Sequence, residues 1–173
     1  MKTKSLLIPL LTLLISCQNS GTGKVSNTLE SLKKEAISIA EGYVKEQLKD
    51  SGTTVNSLGI ILIENNQKRF VIDPREIFTG LIDEDEKIDA IITVTSYIGQ
   101  DYYLTEHLIL ISTEGKLLLI RSIEQDMKIL RLKDRIITAE IHTKPRTSPL
   151  YSCASCKAIV TYKYSSGDLI KTE

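Results

Sequence analysis

The chain has 173 residues, with 22 basic against 22 acidic side chains, 42% hydrophobic residues and 5% aromatic ones. That length suits one domain by the usual span of roughly 100 to 200 residues each, and leaves enough apolar side chains for a core. Lys and Arg are interspersed with Asp and Glu throughout, so there is no basic stripe to gather phosphates and nucleic acid is excluded as an expected partner.

In chain order, the first segment places Lys2 and Lys4 before the apolar run Leu6 to Ile15, which Ser16-Cys17 closes. A basic start, an apolar stretch of about ten residues and a small residue before the cut are the parts of a secretory signal. A membrane-spanning helix needs about 20 apolar residues. This run is interrupted at Pro9 and Thr12 and ends in Cys17-Gln18-Asn19-Ser20, so it is too short to span. Leu14-Ile15-Ser16-Cys17 resembles the lipobox of bacterial lipoproteins. The resemblance implies that signal peptidase II removes residues 1–16 and that Cys17 carries the lipid, acyl chains of the palmitate kind. Two or three such chains hold a protein on a membrane stably, at roughly 0.8 kcal/mol for each buried methylene. In some Gram-negative members an Asp after the cysteine retains the protein in the inner membrane. Gln18 stands here, which implies the outer membrane, facing the periplasm. The rival reading is an ordinary signal peptide with a chance cysteine.

Residues 17–26 are polar and rich in Ser, Gly and Asn, as expected of a lipidated flexible tether, and residues 27–173 make up a single domain. Asn27-Thr28-Leu29-Glu30 has the spacing of a capping box and predicts a helix start. Leu29, Leu32, Ala36, Ile39, Ala40, Tyr43, Val44 and Leu48 then recur at intervals of three and four, giving an amphipathic helix that Asp50-Ser51-Gly52 stops.

Beyond Gly52 the apolar period becomes that of strands. Leu58 to Ile63 and Lys68 to Ile72 flank Glu64-Asn65-Asn66-Gln67 as a hairpin that Asp73-Pro74 ends. Ile88, Ala90, Ile92, Val94 and Ile98 alternate with polar residues, which predicts a strand with one wet face. Leu108 to Ile111 and Leu117 to Ile120 are continuous apolar runs, expected to form a central hairpin covered on both faces. Met127 to Leu132 pairs with Arg135 to His142, and Ala158 to Tyr164 with Leu169 to Lys171. Between these pairs, Pro145 and Pro149 exclude a regular central strand. The expected fold is α+β: one long N-terminal helix packed on a meandering antiparallel sheet of about seven to nine strands.

Three constellations carry possible chemistry. Gly80 to Ala90 resembles the Asp-rich calcium loop of FG-GAP repeats, with Asp83, Asp85 and Asp89 on its third, fifth and ninth positions. The resemblance implies calcium held by oxygen ligands, although Leu81 fills the first ligand position and Glu86 replaces the turn glycine. A solvated acidic turn is the other reading. Cys153-Ala154-Ser155-Cys156, left as a pair once Cys17 carries lipid, suits a local disulfide in an exported protein. A redox centre, half a zinc site with His107 and His142, and free thiols also remain open. The tyrosines Tyr97, Tyr102 and Tyr103 suit a contact surface or the cap of a core. No nucleophile elbow, phosphate-cradling loop or metalloprotease pair occurs. The expectation is a membrane-anchored envelope lipoprotein that is a non-enzymatic binding or assembly module, with an envelope protein as a further partner. The alternative is an envelope hydrolase or redox enzyme.

Overall fold

The computed structural model describes residues 21–49, 52–98, 102–148 and 153–172. Cys17 and the rest of the expected signal lie outside the described residues. Among these residues one α-helix, α1 (Gly21–Gln47), precedes ten strands. β1 (Thr53–Ser57), β2 (Ile60–Glu64), β3 (Lys68–Gly80), β4 (Asp89–Ile98), β5 (Tyr102–Thr113) and β6 (Lys116–Glu124) form a six-stranded meander in that order. β7 (Met127–Lys133), β8 (Ile136–His142), β9 (Lys157–Ser165) and β10 (Asp168–Thr172) form a second meander of four strands. All neighbouring strands pair antiparallel. The fold is thus α+β, with ten strands in two sheets where about seven to nine strands in one sheet were expected.

Local chemistry explains the turns. Leu58-Gly59, Glu114-Gly115, Asp134-Arg135 and Ser166-Gly167 each place two successive residues at φ between 52° and 86°. That is the two-residue hairpin turn whose twist matches the strands it joins, and glycine occupies its second position in three of the four. β3 continues past Asp73-Pro74, which were expected to end it, because the register shifts between Ile72 and Ile77. A proline cannot donate to the ladder and is accommodated at such an irregularity. At the other end of the helix signal, α1 begins at Gly21, ahead of the expected start at Asn27 and within the stretch expected as tether. Once nucleated, a helix gains one hydrogen bond for each residue added, so modest formers can extend it.

Two cores flank the six-stranded sheet. On one face, Ala36, Ala40, Val44 and Leu48 of α1 pack on Ile72, Ala90, Ile92, Val94, Leu108 and Leu110. On the other, Ile91, Ile109 and Ile111 meet Ile129, Ile137, Ala139 and Val160 of the four-stranded sheet. Alternation along β4 and β5 sends successive side chains to opposite cores. The layers are therefore helix, sheet, sheet.

This arrangement corrects two expectations. β4 has no wet face over its first part, since Asp89 and Thr93 are buried on a face the second sheet approaches. The Leu117 to Ile120 stretch of β6 is covered on one face rather than two. Leu117 is buried under α1, whereas Leu118 and Ile120 are 47% and 51% exposed on this edge strand.

Candidate functional site

The acidic loop between β3 and β4 brings Asp83, Asp85 and Asp89 together, with one oxygen of each within 4.8 Å of the others. Among the described residues this is the one group of three or more His, Cys, Asp or Glu side chains close enough to share a metal ion. Asp89 is fully buried; its Oδ2 accepts from the backbone N–H of Ile82 at 2.8 Å and its Oδ1 from that of Ser112 at 2.9 Å. Burial nonetheless raises its pKa above the ordinary carboxylate value, and the two N–H bonds only moderate that rise. Asp83 accepts from the N–H of Asp85, and Asp85 from that of Lys87. The hydrogen bond and charge from Lys87 hold the Asp85 carboxyl below the usual range. The loop carbonyls have a cation too: Arg135, from the β7–β8 turn, donates to the carbonyl oxygens of Asp83, Glu84 and Asp85. A calcium ion takes six to eight oxygen ligands. Here Asp83, Asp85 and both oxygens of Asp89 already accept from protein N–H groups, which lowers what they offer a cation. Sequence reasoning missed Arg135, because nothing in the order of residues places the β7–β8 turn beside this loop.

Cys153 and Cys156 are joined as a disulfide, with their Cα atoms 5.2 Å apart. The 3-10 turn Ala154–Cys156 has only three residues, too few for the helix terminus that lowers a redox thiol's pKa. Cys156 accepts at its carbonyl from the N–H of Thr143, which fastens the bridged turn to the end of β8.

His107, on the interior strand β5, is fully buried. Its Nε2 lies 3.2 Å from the Gln125 carbonyl, which can only accept, so Nε2 carries the proton and Nδ1 accepts from the Thr93 hydroxyl at 3.2 Å. Burial lowers its pKa to about 4, and the imidazole is neutral near pH 7. Gln125 and Asp126 are the whole link between the two sheets. Gln125 also donates from its side chain to the Tyr162 hydroxyl at 2.9 Å and from its N–H to the Thr105 carbonyl at 3.1 Å. His107 thus helps to fix the crossover that turns one meander into two stacked sheets. Neither histidine joins the cysteines in a metal-holding group among the described residues.

Beside the crossover, the sheets leave a cleft of about 230 Å³. Its walls include Thr93, Thr95 and Thr105 from one sheet and Lys128, Glu140 and Lys157 from the other. Lys157 Nζ lies 2.7 Å from Glu140 Oε1. Asp126, also in the wall, is paired with Arg146 at 3.0 Å. The Arg146 guanidinium carbon lies 4.3 Å from the centre of the Tyr103 ring and 5.9 Å from that of Tyr102, and Arg146 also donates to the Tyr103 carbonyl. The Tyr97 and Tyr103 rings meet at a tilt of 41°, with 6.1 Å between their centres. The tyrosine cluster therefore borders the cleft, and the segment after β8 is clasped to it by Arg146. The cleft itself was not legible in the sequence.

No family model, curated protein or solved structure matches this chain.

Proposed function

We propose that the chain is a lipid-anchored lipoprotein of the bacterial cell envelope, in the outer membrane facing the periplasm, whose domain is a binding module rather than an enzyme. The observation that carries this reading is Leu14-Ile15-Ser16-Cys17 behind a basic start and a short apolar run. No helix among the described residues is long and apolar enough to cross a membrane. Two ion pairs at the cleft support binding over catalysis, Glu140 with Lys157 and Asp126 with Arg146. His107 is neutral, enclosed and committed at both ring nitrogens.

The anchor has a geometric consequence. Glu35 accepts from the N–H of Leu117 near the start of β6, and the Tyr43 hydroxyl reaches Ser122 further along the same strand. α1 therefore runs in the direction of β6, and its first residue lies toward the end of the sheet where β6 begins. Fourteen residues of helix precede Glu35, about 21 Å at 1.5 Å per residue, whereas only Lys116 precedes Leu117 in β6. The first turns of α1 project past the sheet, and Gly21 follows Cys17 by four positions. In this reading the anchored end carries the 81–88 loop, and the cleft opens at the opposite end, away from the bilayer.

Metabolic labelling with an alkyne palmitate analogue tests the anchor. The wild type takes up label and Cys17→Ser takes up none; equal labelling of both overturns the reading.

A further inference from the structure

The face that the six-stranded sheet turns toward the four-stranded one changes chemistry halfway along. Near the acidic loop it carries Ile91, Ile109 and Ile111, packed into the second core. Two and four residues on from Ile91, the same alternation brings Thr93 and Thr95 to that face, with Thr105 and Tyr103 beside them on β5. A face wholly committed to a sandwich core would continue with apolar side chains, since burying hydroxyls costs free energy unless they are bonded. Here the switch to hydroxyls coincides with the cleft of about 230 Å³.

The charge of the cleft decides what it can take. Glu76, Asp126 and Glu140 contribute three carboxylates, Lys128 and Lys157 two ammonium groups and His142 an imidazole, with Arg146 held against Asp126. An anion such as a phosphate ester would face the carboxylates, and a cation would face the lysines. An uncharged ligand whose groups donate and accept at once uses both signs: each of its hydroxyls can donate a hydrogen bond to a carboxylate and accept one from an ammonium or a threonine. Met127 and Ile129 are buried in the second core, so the half-buried Tyr103 ring is the apolar surface in the wall left for the C–H face of a sugar ring. The volume falls below the roughly 300 Å³ at which drug-sized sites begin, which suits one ring rather than an extended chain.

We propose that this cleft binds a single uncharged saccharide unit, either a free sugar or the end of a glycan. The proposal rests on reading the domain as a binding module and names its ligand class.

The test uses the mature lipoprotein in detergent, titrated by calorimetry with glucose, N-acetylglucosamine, the disaccharide maltose, glucose 6-phosphate and glucosamine. Neutral sugars bind, and the phosphorylated and cationic sugars bind at least about tenfold more weakly. Maltose bound no more tightly than glucose fixes the single-unit size; maltose bound more than about tenfold more tightly overturns it. Thr95→Val and Lys128→Met each weaken the neutral sugar about fivefold, the loss of one hydrogen bond, with melting temperatures unchanged. Either of two results overturns the proposal: no binding of any neutral sugar at tens of millimolar, or binding of a charged sugar as tight as that of a neutral one. Neutral binding untouched by both substitutions overturns it as well, by placing the sugar elsewhere. Cys17 labelling is independent of all these outcomes, so failure here and failure of the anchor are separately visible.

Discussion

His107 makes stability depend on pH in a direction the structure fixes. The imidazole is enclosed and neutral in the folded state, with a pKa of about 4, whereas an unfolded chain leaves it at the ordinary 6.5. Below 6.5 the unfolded chain takes up a proton that the folded one refuses, so the stability this group contributes is present above 6.5 and is lost as pH falls through about 4. At roughly 1.4 kcal/mol per pH unit, that interval amounts to about 3 kcal/mol. The loss is a large share of the 5–15 kcal/mol typical of a folded domain. His107→Gln stays neutral throughout and removes the term. Asp89 acts with the opposite sign: its raised folded pKa gives stability present below 3.8 and lost as pH rises through the folded value. The informative quantity is therefore the difference between wild type and His107→Gln at each pH. Urea unfolding at pH 7.5, 5.5 and 4 measures it, and the wild type should lose about 3 kcal/mol more than the variant. Parallel profiles, or an NMR titration of His107 centred near 6.5, would refute the enclosed neutral ring.

Asp89→Ala leaves the N–H groups of Ile82 and Ser112 without acceptors, at roughly 1–3 kcal/mol each, and should cost about 2–6 kcal/mol in denaturant unfolding. With the acidic loop closed on protein donors, millimolar calcium should leave the wild-type melting temperature unchanged. A rise that Asp85→Ala abolishes would show a calcium site instead. Ile109→Ala opens a void in the core between the sheets and should cost about 2–5 kcal/mol, whereas Leu118→Ala on exposed β6 should cost under about 1 kcal/mol. Equal losses in the two would contradict the layer assignment.

Much of the fold was legible where local chemistry alone decides it. Glu114-Gly115 and Ser166-Gly167 announced their hairpins because a turn with two positive φ angles demands such residues. The spacing from Leu32 to Leu48 marked the buried face of α1, since helical period and burial coincide there. β1 escaped because Thr53–Ser57 is exposed along its whole length and leaves no apolar period to read. The division into two sheets was hidden for a different reason. Gln125-Asp126 is as short as a hairpin turn, yet β6 and β7 do not pair, and long-range contacts with His107, Thr105 and Tyr162 hold the link as it changes sheets. The polar alternation of β4 then misled in turn, because Asp89 and Thr93 resemble solvated residues until a second sheet covers them. At the sites, proximity in sequence found the cysteine pair and the three aspartates. Arg135, 50 to 52 residues from the carbonyls it binds, and Arg146, 43 from Tyr103, depend on long-range packing and left no local signal.

Mass spectrometry of the protein extracted from envelopes decides whether this domain is held to a membrane through Cys17. The anchored protein yields an N-terminal peptide beginning at Cys17 and heavier than its unmodified sequence by a diacylglyceryl group and an amide-linked acyl chain, with residues 1–16 absent. An unmodified Cys17, or a chain that still begins at Met1, would contradict the anchor.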